Sequence, residues 1–168
     1  MRQVFRVLAF VVAVGVIVQA AVMVYAVAGL GIFIDEGGVL DQASMEQSMS
    51  GDALFPEQVG LLLHGLNGSM VLPAIAVLTF VASFFAGVRH AWRWGLAILL
   101  LVALQVTLGF AGHAVPFLGG LHGINALLLF AVATYTGWRV AARDRSVHAA
   151  PAAASSASPG MAAGGVAS

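Results

Sequence analysis

Residues 94–140 read WGLAILLLVALQVTLGFAGHAVPFLGGLHGINALLLFAVATYTGWRV, and Arg139 is their only charged side chain. Pro116 divides the stretch into two apolar runs, Trp94–Ala114 and Phe117–Val140. Each is about the ~20 residues that a helix needs to cross roughly 30 Å of hydrocarbon. Two more runs of that kind precede them, Val7–Ile34 and Val59–Val88. The chain therefore reads as an all-α integral membrane protein with four spans. Short connections make successive spans antiparallel, which gives an up-down-up-down four-helix bundle.

Composition agrees. Of 168 residues, 61% are apolar and 8% charged, whereas a soluble domain carries about 25% charged residues. Fourteen charges cannot dress a globular surface of this size, so lipid must serve as the solvent for most of the chain. There is no cysteine, which excludes disulfides, thiolate metal sites and cysteine nucleophiles. All seven basic residues are arginines, beside much Ala, Gly and Val, a usage that suggests a GC-rich bacterial genome. Nothing in the chain suits nucleic acid.

The charges are sorted. Arg2 and Arg6 precede span one, Arg89 and Arg93 separate spans two and three, and Arg139, Arg143 and Arg145 follow span four. Six of the seven acids, Asp35, Glu36, Asp41, Glu46, Asp52 and Glu57, fall in the loop at 35–58. The positive-inside rule then places both termini in the cytoplasm and the acidic loop outside, in a bacterial plasma membrane. Trp92, Trp94 and Trp138 sit at the cytoplasmic ends, where an aromatic belt belongs. Span one has features of a signal peptide, with early arginines and "YAVAG". Its apolar run is about twice the 7–15 residues of a signal core, so it is read as a retained span. Residues 1–145 form the membrane domain, and the Ala-, Gly- and Pro-rich segment 146–168 is expected to be a disordered cytoplasmic tail. Within the outer loop, "DQASMEQSM" suits a short surface helix.

One polar pattern recurs inside the spans: "LHGLNG" at 63–68 and "LHGINA" at 121–126. Polar groups at membrane depth are costly and generally face the bundle interior. Asn67 and Asn125 stand three residues beyond His64 and His122, on the same helical face, as hydrogen-bonding partners or interhelical glue. Three features point further. Both histidines lie ~9–11 Å into their helices at about 1.5 Å per residue, in spans that run the same way, so they reach one level. Spans two and four are diagonal in such a bundle, about 12–14 Å between axes when neighbours stand 8–10 Å apart. Small residues follow each histidine: Gly65 and Gly68, Gly123 and Ala126. Two inward imidazoles with clearance between them suit the axial ligation of a haem b. Spans one–two and three–four then read as two similar helical hairpins. Gln19 and Gln105 are candidate counterparts in spans one and three, although their depths match poorly. Pro73 should kink span two by freeing the carbonyl of Ser69. His113, at the outer end of span three, is a further candidate for the site or simply a polar helix end. His90 and His148 fall on the cytoplasmic side.

The stretch LQVTLGFAGHAVPFLGGLHGINALLLFAVA, residues 104–133, resembles the third-and-fourth-helix region of one half of haem A synthase. The matching residues are Gln105, Leu108, Gly109, Leu121 and His122, and the likeness extends over about 57–140. In that family, each four-helix half carries haem-binding histidines on its second and fourth helices, which implies the same role for His64 and His122. This chain has four spans rather than eight, no outer-loop cysteine pair, and no glutamate one turn before His64. The resemblance thus implies haem-holding architecture rather than the family's oxidation chemistry. In length and layout the chain is also similar to a family of small four-span bacterial membrane proteins of unknown function.

The expected function is binding of haem b for electron transfer or haem handling. The alternative is an accessory or structural membrane subunit without a cofactor, whose histidines and asparagines pin helices together. A third reading gives Met45 and Met49, spaced i,i+4, to copper(I) through soft thioethers. No inward carboxylate or nucleophile accompanies the histidines, which argues against an enzyme. The bilayer is the expected partner, and a homodimer or larger membrane complex is compatible with it.

Overall fold

A computed structural model describes residues 1–156, with their side chains except those of Met45, Met49 and 143–156. The side chains of Met45 and Met49, the candidate thioether pair, and the end of the expected tail, 157–168, thus lie outside what is described.

The described chain is helical throughout, without strands. Helix α1 covers Arg2–Asp35 without a proline or a β-favouring break. It ends where Gly37, at φ 93°, turns the chain left-handed and the amides of Gly37 and Gly38 reach back to Ile34 and Phe33, a glycine stop. The loop beyond carries the expected short helix, α2, Gln42–Met49. Asp41 accepts from the Ser44 amide at 2.8 Å while the Ser44 hydroxyl accepts from the Asp41 amide at 2.9 Å, a capping box that starts the helix. The loop then returns to α1, where Phe55 is buried and stacks on Phe33 at 5.6 Å.

The second span is composite. A 3-10 turn, Pro56–Gln58, leads into α3, Val59–Leu66, then a π-helical turn, Asn67–Val71, and α4, Leu72–Phe84. The irregularity anticipated at Pro73 takes the form of this π turn, in which the Leu72 amide reaches the carbonyl of Asn67, five residues back. Proline has no N–H to offer the carbonyl four residues before it, and the wider turn accommodates that gap in the ladder. A tight connection with Gly87 at φ 63° and His90 at φ 60° leads to α5, Ala91–Gly112. A still shorter one leads to α6, Pro116–Ser156. The expected fourth span ends at Val140, but α6 continues sixteen residues further, through Ser156. An alanine-rich sequence has the highest intrinsic helix propensity, which accounts for helix where the composition had suggested a tail.

Four helical stretches are long and apolar enough to cross a membrane: Arg2–Asp35, Pro56–Phe84, Ala91–Gly112 and Pro116–Ala142. Their extensive contacts form a ring. Helix α1 lies on α3, α4 and α6, and α5 lies on α4 and α6. The second and fourth stretches are thus diagonal partners across the centre. The core joining them is built from small and mid-sized side chains: Ala9, Val12, Ala13, Ala76, Ile98, Val102, Leu129 and Ala133. Such residues let helix backbones approach closely, and dispersion between them then holds the helices together. Large apolar side chains such as Leu62, Leu100, Phe85 and Leu128 point outward and are more than half exposed.

Candidate functional site

His64 in α3 and His122 in α6 face one another across the ring of helices. Their imidazole centroids are 6.1 Å apart and the ring planes are inclined at 55°. The two histidines do lie at one level, and their side chains close the diagonal gap between the helices that carry them.

Each ring is held through one nitrogen. His64 Nδ1 lies 3.1 Å from the main-chain carbonyl oxygen of Gln19, and His122 Nδ1 lies 2.9 Å from that of Gln105. A carbonyl oxygen can only accept, so Nδ1 carries the hydrogen in both rings. The neutral imidazole then has its lone pair on Nε2. A ligating histidine is generally prepared in this way, with its other ring N–H given to a carbonyl or carboxylate.

The glutamines are the partners that the sequence pattern only weakly exposed. Gln19 on α1 and Gln105 on α5 play the same part in the two hairpins. Depth counted from helix ends concealed this. From Gln19 to the end of α1 is sixteen residues, and from Gln105 to the end of α5 is seven. Helix α1 therefore overshoots α5 by about 13 Å at 1.5 Å per residue. Its overshoot is held by the Phe33–Phe55 contact, outside the region where the two hairpins correspond.

Beyond the shared histidine contact, the hairpins differ. In the first, the Gln19 amide donates to the His64 carbonyl at 3.0 Å, so the two residues bond reciprocally. Gly68 leaves room for that amide, which would have to shift if a Cβ were present there. Gln19 Oε1 is buried and has no partner among the described residues. In the second, Asn125 is 6% exposed and donates both to the Leu101 carbonyl at 3.0 Å and to Gln105 Oε1 at 2.6 Å. Asn67 has no corresponding bond among the described residues. It opens the π turn, and Gly68 is the residue that stands against the Gln19 amide.

The space beside the rings also has a different source from the one read in the sequence. Gly65 and Gly123 are exposed, and a Cβ on either would meet nothing within 4 Å. Gly109 on α5 is the residue against the ring: its Cβ would stand 3.2 Å from both Cε1 and Nδ1 of His122. His113 is exposed at the C-cap of α5. His90 belongs to the other end of the molecule, where its Nε2 accepts from Arg89 Nε at 3.0 Å, and the side chain of His148 lies outside the described residues. Glu57, seven residues before His64, is partly exposed and packs over Gly29 of α1.

Among the described residues, no group of three or more His, Cys, Asp or Glu side chains gathers to hold a metal ion. The arrangement offers two nitrogen donors on opposed helices and nothing more. No family model, curated protein or solved structure matches the chain.

Proposed function

We propose that this chain is a multi-pass protein of a bacterial plasma membrane, an up-down-up-down bundle of two similar hairpins. In this reading it binds one haem b through His64 and His122, for electron transfer or haem handling. The termini are cytoplasmic and the acidic loop at 35–58 is outside, on the strength of the arginine and acid distribution.

The spacing of the two prepared imidazoles carries the reading. A ligating nitrogen stands about 2 Å from its metal and the ring centroid about 1.1 Å behind it, so two rings facing one metal in line through Nε2 would have centroids about 6.2 Å apart. The separation here is 6.1 Å. The 55° between the planes is no obstacle, because ligation through Nε2 sets no fixed angle between two imidazole planes. A pair of imidazoles falls short of the four protein ligands of a structural zinc site. It does complete the shell of an iron whose other four ligands come from a porphyrin. A bound haem would supply a one-electron couple.

The chain's own residues would tune and orient that site. The carbonyls of Gln19 and Gln105 fix both tautomers and raise the basicity of the Nε2 atoms. Asn125 and the Gln105 amide lock α5 against α6 close to one ligand, and Gly109 leaves room at the ring edge.

The same hydrogen bonds favour a second reading. His64 ties α3 to α1 and His122 ties α6 to α5, which is what a structural subunit without a cofactor would require. A visible spectrum separates the two. The haem reading expects purified protein with a sharp Soret band and resolved visible bands on reduction, and loss or conversion of that spectrum in both His64→Ala and His122→Ala. Haem-free protein despite ample haem supply, with histidine variants that lose stability alone, would leave the structural reading in its place.

A further inference from the structure

The opposite end of the bundle carries a cleft unconnected with the histidines. It is lined by Phe5, Arg89, Trp94, Thr136, Arg139 and Val140, with Val88 and Ala91 beside them. Three helices and the turn after α4 supply these residues, so the cleft exists only in the assembled fold. The Trp94 and Tyr135 rings lie 5.0 Å apart, and the Arg139 guanidinium sits over both, 5.7 Å from the indole centroid and 5.6 Å from the phenol. One Arg139 nitrogen donates to the Tyr135 hydroxyl at 3.4 Å, and Arg89 Nε donates to His90. A guanidinium has five N–H donors, so most of those on Arg89 and Arg139 remain uncommitted. Neither arginine is ion-paired among the described residues. Arg2 reaches the same turn, with Nε and Nη2 directed at the carbonyls of Ala86 and Gly87. The Thr136 hydroxyl is already bonded to the Val132 carbonyl and is not a ligand candidate.

We propose that this cleft seats the phosphate of one anionic phospholipid. Two guanidinium groups supply charge and forked donors for a phosphodiester. Phe5, Ala91 and Val140 are buried behind the cleft, while the partly exposed Val88 and Trp94 and the exposed Tyr135 offer apolar surface to the glycerol and the first acyl carbons. That mixture suits a lipid better than free phosphate, which gains nothing from apolar surface. The arginine-rich ends of the spans are where anionic headgroups concentrate, and basic clefts between helices at that level are their usual seats. The tilted Trp94–Tyr135 pair belongs to the same interfacial layer. The inference rests on the chain spanning a membrane and is independent of haem.

The test is native mass spectrometry of the full chain, extracted in mild detergent and exchanged with phosphatidylglycerol or phosphatidylcholine. One phosphatidylglycerol should survive washing that strips phosphatidylcholine. The doubly substituted Arg89→Gln/Arg139→Gln chain should retain it about 30-fold less well, the loss due to two interfacial arginines. Arg89→Lys/Arg139→Lys keeps the charge and should retain most of the lipid, which covers the case in which the glutamine variant fails to fold. Inorganic phosphate in excess should leave retention unchanged. Equal retention of the two lipids, undiminished retention by the glutamine variant, or displacement by inorganic phosphate would each overturn the proposal. Release of the chain from membranes by alkaline carbonate without detergent would instead remove the spanning arrangement beneath it.

Discussion

Asn125 donates to the side-chain oxygen of Gln105 at 2.6 Å, joining α6 to α5 one turn away from the bond that His122 makes to the Gln105 carbonyl. One glutamine therefore serves two residues of the next helix, through its side chain and its main chain separately. That separation makes the two contacts independently removable.

Asn125→Ala should cost on the order of 1 kcal/mol, toward the upper range of interhelical hydrogen bonds in membrane bundles. It would leave Gln105 Oε1 and the Leu101 carbonyl without their amide partner. The His122–Gln105 bond uses only main chain on the α5 side and should survive. Asn67→Ala removes no such bond and should be nearly neutral. Thermal unfolding of the two variants in detergent measures the difference, and equal losses would show that the asymmetry between the hairpins does not affect stability.

The sequence made the four apolar helices and the level of the two histidines legible, because hydropathy and residue count determine them almost directly. It obscured three features that depend on packing. Gln19 and Gln105 match only after the overshoot of α1 is known. Asn67 and Asn125 look equivalent in HGLN and HGIN, yet among the described residues only Asn125 bonds to the glutamine of the neighbouring helix. The clearance beside His122 comes from Gly109, thirteen residues earlier in sequence and on another helix, rather than from the adjacent Gly123. Local spacing reports which residues share a face, and only the neighbouring helix decides what that face meets.

Topology is open to a direct measurement. Seven arginines and six acids segregate to opposite sides of four spans. The chain has no cysteine of its own, so single probes are unambiguous. In intact spheroplasts, Ser48→Cys should react with an impermeant thiol reagent and Ser155→Cys should not until the membrane is opened. The reverse pattern would invert the bundle and put the cleft at Arg89 and Arg139 in the outer leaflet.

Acid should loosen the start of α2. The Ser44 amide donates to the Asp41 carboxylate, holding its pKa below the ordinary carboxylate value. A carboxyl with a depressed pKa in the folded state contributes fully above its unfolded value, and the contribution is lost as pH falls through the folded value. Carbon chemical shifts over Gln42–Met49 should therefore stay helical at neutral pH and move toward coil in strong acid. Asp41→Asn keeps a capping oxygen without the titration and should flatten that dependence. A wild-type profile that is already flat would mean that the capping box does not control the helix.

The sharpest distinction at the histidine site is between two glycines. Gly123 follows His122 directly, but a Cβ there meets nothing within 4 Å; Gly109 lies on α5, and a Cβ there would press to 3.2 Å on two atoms of the His122 ring. Contacts that close require the ring to shift by a few tenths of an ångström, and its Nδ1 bond to Gln105 resists the movement. On the haem reading, Gly109→Ala should therefore disturb the His122 ligand without removing it, broadening or shifting the reduced visible bands and lowering haem retention. Gly109→Val adds bulk at the same edge and should go further, toward a five-coordinate spectrum. Gly123→Ala should leave the bands where they are and, by replacing glycine in a helix interior, raise thermal stability by about 0.5–1 kcal/mol. If the two alanine variants gave the same spectrum, the ring of His122 would not be positioned by α5, and its role as a ligand prepared by that helix would fall.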